Sequence, residues 1–513
     1  MQASVASFEV DAKPAVENKH GPASSSWLWL VVGGGLLLFS YGANNIPLVA
    51  WLTPVLLLRF VRQQKLRVWA PVLYVTAIGA IAFQMRGMAP IPAPGYEVFL
   101  AASGIGFLIP YLVDRWLVLR LGGFQATLVF PSACVALEYI NSLGPYGSWG
   151  AAAYSQYGNL PLLQLLSVTG LWGVSFLMAW FASTCNRLWE EGWDSMRARR
   201  GAYLYIATLA AVVLFGSARL ALYPPSSATV RVASLSRHGI GQRPGAATWN
   251  RLYSNQPTAA DLASIRSWGA VVDDDLLTRA AREAEAGAKI VFWGEANAPI
   301  FKEDEAAFVS RGAQEAAKYQ IYLGMALGVW NRGKNPPLEN KLVLIEPDGQ
   351  VAWEYNKARP VPGSEAAMQI RGDGRLRSLD TPYGRLSSVI CFDADFPGLL
   401  AQAGALGADI VLDPSNDWRA IDPWHTQMAS FRAIEQGVNL VRQTSQGLSA
   451  AFDYQGRRLS CMDHYHTADY VLVSEVPTRG VHTVYSRLRD WFAWVCAAVF
   501  LMLVLRSFWH KAA

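Results

Sequence analysis

A glutamate, a lysine and a cysteine stand in that order along the chain, each beside a short apolar run. Glu295 follows Ile290-Val291-Phe292-Trp293-Gly294. Lys357 closes Glu354-Tyr355-Asn356-Lys357, just past a strand-like run. Cys391 ends the run at residues 386–390 and precedes Phe392-Asp393-Ala394-Asp395-Phe396-Pro397-Gly398, a sharp turn into a helix. A thiol in such a strand–turn–helix corner is exposed to substrate, with backbone N–H groups and a helix N-terminus nearby to favour thiolate and hold an oxyanion. Attack on an acyl carbon also needs a proton acceptor and a counter-charge. A carboxylate raised in pKa by burial can be the base, and a lysine can stabilise the tetrahedral oxyanion. Taken singly, Cys391 would more often be a core thiol, Lys357 a solvated loop residue and Glu295 a helix cap or ion-pair partner. Three such residues in one order, each at a strand end, make a much rarer coincidence.

The elements that must position them begin near Thr229, where short β-rich runs alternate with charged helical ones. Strands are predicted at residues 229–236, 289–293, 321–327, 341–346, 387–391, 409–412 and 437–443. Helices are predicted at 274–286, 303–318 and 398–406. The alternation implies an α/β domain, and chemistry at strand ends is the usual arrangement there. Turns such as Pro347-Asp348-Gly349 and Tyr454-Gln455-Gly456 carry suitable residues.

The remainder of the chain is apolar. Over the 513 residues 52 % are hydrophobic and 16 % charged, with a mean hydropathy of +0.18. Eight runs are predicted to cross a membrane: residues 27–41, 46–58, 69–83, 98–112, 126–140, 160–181, 202–222 and 491–505. The second is short enough to be interfacial or re-entrant. The loop after the second run carries Arg59, Arg62, Lys65 and Arg67. The loop after the fourth carries Arg115 and Arg120, and that after the sixth Arg187, Arg197, Arg199 and Arg200. The alternate loops are nearly bare, with Arg86 alone in its own, and the tail bears Arg506 and Lys511. An excess of Lys and Arg marks cytoplasmic loops, so both termini are expected inside and the α/β domain outside. These loops account for the net charge of +5 and leave no signal for nucleic acid. The expected organisation is a polar cytoplasmic tail at 1–25, membrane helices at 26–224, a catalytic domain at 228–480 and a last membrane helix at 488–508.

Of five cysteines, only Cys391 and Cys461 fall in the outer domain, where a disulfide between them is the alternative to a reactive thiol. The seven histidines show no metal-ligand spacing and no phosphate loop stands out, so neither metal nor dissociable cofactor is expected.

Trp293-Gly294-Glu295-Ala296, Tyr355-Asn356-Lys357 and Val389-Ile390-Cys391-Phe392-Asp393 resemble the Glu–Lys–Cys motifs of the nitrilase, or carbon–nitrogen hydrolase, superfamily. Within it, a catalytic domain set between multiple membrane helices, with one more helix after it, resembles the apolipoprotein N-acyltransferases. Glu365, Pro414-Ser415-Asn416-Asp417-Trp418, Trp424-His425-Thr426-Gln427-Met428-Ala429 and Arg432-Ala433-Ile434-Glu435 are also similar to that family. So are Tyr154-Ser155-Gln156-Tyr157 and the residues from Leu163 to Leu177 in the membrane part.

The resemblance implies a multi-pass helical membrane bundle carrying an extracytoplasmic αββα sandwich in a bacterial inner membrane. It implies a ping-pong reaction. Cys391 takes the sn-1 acyl chain of a phospholipid, typically phosphatidylethanolamine, and the N-terminal amine of a diacylglyceryl-cysteine lipoprotein then receives it. Glu295 would be the general base and Lys357 the oxyanion partner, with Glu365 and Asp393 in support. Trp249, Trp418 and Trp424 are candidates for the lipid entrance and His425 for a bond near the site. The chain departs from the family pattern in three places. Val361-Pro362-Gly363-Ser364 precedes Glu365 where an aromatic residue is usual, Asp393 replaces Glu, and Trp418-Arg419-Ala420-Ile421-Asp422 replaces a small residue–Trp–Phe–Gly loop. These bear on donor and acceptor surfaces. A different amine acceptor, a membrane-anchored amidase in which water resolves the thioester, and a non-catalytic binding protein are the competing readings.

Overall fold

The computed structural model describes residues 23–509. The predicted tail at 1–25 thus lies almost wholly outside the described residues, as does Lys511.

Among the described residues, five helices are long and apolar enough to cross a membrane: Leu66–Gln84, Gly95–Val118, Gly123–Ser142 with a short break, Met196–Leu222 and Trp491–Trp509. The predicted run at 160–181 is not one straight helix. Leu160–Thr169 and Leu171–Glu191 meet at 119° and make a sixth span only if counted together. The bend lies at Gly170, whose φ of +66° is left-handed and whose missing side chain admits the Tyr485 ring. The two other predicted runs form Ala23–Leu37 and Pro47–Gln63, with 15 and 17 residues. At about 1.5 Å per residue they fall short of a hydrocarbon core of about 30 Å. Five spans, or six, are therefore supported by length and composition where eight were expected.

The α/β domain is two facing sheets. The first runs Val471–Pro477, Thr229–Leu235, Ile290–Trp293, Tyr322–Trp330, Leu338–Ile345 and Val351–Asn356, with Ala298–Phe301 also paired to Tyr322–Trp330. The second runs Arg458–Asp463, Leu448–Phe452, Asn439–Ser445, Ile410–Asn416, Gly384–Ser388 and Ser378–Thr381. The central strands are parallel and the outer ones antiparallel.

Alternation along each strand builds the layers. Val230, Val232, Ile290 and Phe292 meet Leu386, Ile410, Leu412 and Val441 between the sheets. Val291 and Trp293 point the other way, onto Trp268, Val272 and Leu276 of helix Ala259–Glu285 and Phe308 of helix Lys302–Tyr319. Helices Pro397–Ala405 and Trp424–Gln436 cover the second sheet, completing an αββα sandwich.

The helix predicted at 274–286 begins some fifteen residues earlier. Thr258 accepts from the Asp261 amide while Asp261 accepts from the Thr258 amide, a capping box that fixes its start at Ala259.

The membrane helices and the sandwich are joined by buried polar contacts. Leu171 N donates to Glu435 Oε1 at 2.9 Å and Gln164 Nε2 to Gln455 O at 2.9 Å.

Candidate active site

Strand ends bring the three predicted residues together. The strand Ile290–Trp293 delivers Glu295 into a turn where its amide reaches Ser415 O at 3.3 Å. The strand Val351–Asn356 delivers Lys357, whose amide donates to Asn340 O at 2.8 Å. Cys391 differs from its sequence reading in one respect. The strand ends at Ser388, and Cys391 opens the single turn Cys391–Asp395 with φ = +53°. A non-glycine residue in that region is strained unless its surroundings hold it. Here Asp413 does so, accepting from Cys391 N at 2.8 Å.

Lys357 is fully buried. Its Nζ donates to Glu295 Oε1 at 2.7 Å and to Glu365 Oε2 at 2.6 Å. Burial opposes its charge, but Glu295 and Glu365 outweigh this and raise its pKa well above the ordinary lysine value. Glu365 is pushed up by burial and pulled back by Lys357. It also accepts from Val361 N at 3.0 Å, which ties the loop after Lys357 to the ammonium. Asn340 Nδ2 donates to Glu295 Oε1 at 2.6 Å, so one carboxyl oxygen is held by two donors. Glu295 Oε2, also buried, has no hydrogen-bond partner.

The Cys391 thiol is raised well above its usual value by burial and by Glu295, against the opposing pull of Lys357 and Arg442. The corner was expected to favour thiolate. Burial beside a carboxyl works against the thiolate instead. Such a thiol needs a base at the moment of attack.

Asp393 braces the turn. Its carboxyl accepts from Tyr355 Oη at 2.7 Å, Arg359 N at 2.8 Å and Ile390 N at 3.1 Å, and burial lifts it to about 6. It thereby joins the segment after Lys357 to the segment before Cys391.

His425 lies between two carboxylates, Asp417 at 2.7 Å and Asp395 at 3.0 Å. Burial would lower its pKa, but Asp395 and Asp417 prevail over that and over Arg442, lifting it to about 9. Arg442 bonds Asp413 Oδ2 at 2.5 Å and Asp417 Oδ1 at 3.1 Å. Ligand atoms of Cys391, Asp417 and His425 lie within 4.8 Å of one another, which is metal-site spacing. The Arg442 guanidinium already supplies a cation there.

Cys391 opens on a cavity of about 680 Å³ shared with the membrane helices. Phe99, Phe107, Tyr111 and Met178 line it from the membrane side, and Val361, Phe392, Trp418 and His425 from the sandwich. Of the other sequence candidates, Trp424 is buried edge-on against Tyr41 and Trp249 packs on Trp268 and Trp330. Neither is among the lining residues.

Sequence reasoning passed over Asn340, Asp413 and Arg442. The local signal was weak: each stands beside other polar residues, Glu339 and Lys341, Ser415 and Asn416, or Gln443 and Thr444, and only the burial of these strands shows that it must have a partner. Such a residue persists when it has a partner.

The chain matches the family model "Apolipoprotein N-acyltransferase N-terminal domain" at residues 33–184 and "Carbon-nitrogen hydrolase" at residues 243–478. It is 26 % identical to apolipoprotein N-acyltransferase of Geobacter metallireducens, over 95 % of this chain and 96 % of that one. It is 28 % identical to the protein of the same name from Bradyrhizobium diazoefficiens, over 82 % of this chain and 79 % of the relative. An amidase structure from Nesterenkonia sp. is 20 % identical, covers 53 % of this chain and 97 % of its own, and superposes with a TM-score of 0.39. With one family model on the membrane helices, the other on the domain that carries Glu295, Lys357 and Cys391, and relatives of one name along nearly its whole length, the chain belongs to the apolipoprotein N-acyltransferase family, a membrane-embedded branch of the carbon–nitrogen hydrolases.

Proposed function

We propose that this protein transfers an acyl chain from a phospholipid to the N-terminal amine of a diacylated lipoprotein through a thioester on Cys391. The observation that carries the reading is the position of the Cys391 thiol. It faces an apolar cavity continuous with the membrane helices while Glu295 and the Lys357 ammonium stand behind it.

In the first half-reaction, Glu295 Oε2 takes the thiol proton as sulfur attacks the sn-1 ester carbon. Negative charge moves onto the carbonyl oxygen, which Lys357 stabilises. Collapse breaks the ester C–O bond, and the leaving glycerol oxygen recovers the proton from Glu295, releasing lysophospholipid. In the second, the acceptor amine attacks the thioester, Glu295 accepts its proton, and the thiolate departs and is reprotonated as the amide forms. Two donors on Oε1 leave Oε2 as the lone pair for these transfers. Glu365 keeps Lys357 in place and charged, and Asp393 holds the Cys391 turn against the segment after it. The apolar walls keep water from the thioester, which favours amine over hydrolysis and distinguishes this reading from an amidase.

Phosphatidylethanolamine is the donor proposed. The placement proposed is a bacterial inner membrane with both termini cytoplasmic and the sandwich outside. One ion cluster supports a common side for three helix ends. Arg62 pairs with Asp114 at 2.8 Å and with Glu190 at 3.3 Å, and basic loop residues flank all three.

The test is to supply phosphatidylethanolamine and a diacylated lipopeptide to the detergent-purified protein and to follow the lipopeptide by mass. Gain of one amide-linked acyl chain, abolished by Cys391→Ala, is expected. Release of free fatty acid with an unchanged lipopeptide would favour hydrolysis instead.

A further inference from the structure

Glu138 lies on the helix Val129–Ser142, inside the membrane part, and lines the same cavity as Cys391. Its Oε1 accepts from Ala152 N at 3.0 Å, and the Ser175 hydroxyl, also on the cavity wall, interacts with the carboxyl. Oε2 is buried without a hydrogen-bond partner. Among the described residues no Lys, Arg or His pairs with it. Among the described residues that line the cavity it is the one carboxyl, and none of them is Lys or Arg. A carboxyl in such surroundings is costly unless something positive comes to meet it.

Its position ties it to the nucleophile. The loop that starts at Ser148 is fastened to the Cys391 turn, with Ser148 N and Oγ each donating to Asp395 O at 2.8 Å. The same loop is fastened to Glu138 at Ala152. The two anchors are four positions apart in the chain, so they are no more than about 14 Å apart. Between them Trp149 packs on His425 with ring centroids 5.5 Å apart.

We infer that Glu138 is the seat for a primary ammonium group of a lipid substrate, holding it in the cavity while the acyl carbon meets Cys391. The inference rests on the acyl-transfer reading above. In that reading two substrates carry such a group: the ethanolamine headgroup of the donor and the N-terminal amine of the acceptor. A cavity wall with one unpaired carboxyl, no Lys or Arg, and a His425 already held between Asp395 and Asp417 selects the ammonium rather than the phosphate.

The experiment compares wild type, Glu138→Gln and Glu138→Asp in detergent micelles, with thermal melts alongside. Three rates are read. The first two are acyl-enzyme formation from phosphatidylethanolamine and from phosphatidylglycerol with the same chains. The third is aminolysis of the preformed acyl-enzyme by a diacylated lipopeptide. A fall of about tenfold or more in Glu138→Gln is expected, the size of a lost charge-assisted hydrogen bond. It is confined to reactions that bring an ammonium, with phosphatidylglycerol acylation kept and Glu138→Asp recovering part of the loss. A fall with phosphatidylethanolamine assigns the seat to the donor, and a fall in aminolysis assigns it to the acceptor. No fall in any rate, or an equal fall in all three in both variants, overturns the inference. Absence of acyl-enzyme in wild type overturns the acyl-transfer reading itself.

Discussion

Lys357 Nζ lies 2.7 Å from Glu295 Oε1 with both side chains buried, and each needs the other. The ammonium makes burial of the carboxyl tolerable, and the carboxyl keeps the lysine charged. Removing one partner of such a pair leaves a buried, unbalanced group. Lys357→Met and Glu295→Gln are each expected to slow acyl-enzyme formation at least about a thousandfold. Lys357→Met, which leaves Glu295 facing Glu365, is expected also to lower the melting temperature. Single-turnover mass spectrometry and thermal melts read the two effects.

Asp413 holds the amide of a nucleophile whose backbone is left-handed. Asp413→Ala removes that acceptor and unbalances Arg442. A loss of about 1–3 kcal/mol in stability is expected. The rate of acyl-enzyme formation should fall while the apparent affinity for phospholipid, measured on the unreactive Cys391→Ala background, stays the same.

His425 gives stability a pH dependence with a definite sign. Its folded-state pKa, about 9, lies above the ordinary value of 6.5. The folded form therefore binds the proton more tightly than the unfolded one. The stabilisation is fully present below about pH 6.5 and is lost as pH rises through 9. A shift of that size corresponds to on the order of 3 kcal/mol. Melts from pH 6 to 10 should show the decline in wild type and a flatter profile in His425→Gln.

Gly170 sits at the 119° break with φ = +66°, and a Cβ there would come 2.4 Å from the Tyr485 ring. Gly170→Ala is expected to cost about 1–3 kcal/mol from backbone strain, with the ring clash in addition. Gly201→Ala, on the helix Met196–Leu222 with no atom within 4 Å of the added carbon, is the matched control and should be neutral or slightly stabilising. Thermal melts of the two variants decide this.

How far the sequence could be read depended on the range of the interactions. The central strands around Val291 and Leu412 have apolar runs at 290–293 and 410–412 beside turn residues, so local pattern was enough. Arg458–Asp463 and Ser378–Thr381 are short, polar edge strands that exist because a neighbour pairs with them, and no local pattern announces them. Glu295, Lys357 and Cys391 were legible because motif and strand end coincide. The partner of Cys391 N is Asp413, on the next strand of the second sheet, and one of the two partners of His425 is Asp395, thirty residues upstream. Such pairings arise from tertiary packing alone. The bend at Gly170 was hidden for the same reason, since Tyr485 lies beyond the whole sandwich in sequence.

The most direct test is the intact mass of the detergent-purified protein after incubation with phosphatidylethanolamine, before and after mild hydroxylamine, beside Cys391→Ala. An added mass of one acyl chain is expected on wild type, removed by hydroxylamine, with lysophospholipid released and no adduct on the variant. An adduct that persists in Cys391→Ala, or no adduct on wild type under conditions where the lipopeptide becomes acylated, would contradict a thioester on Cys391.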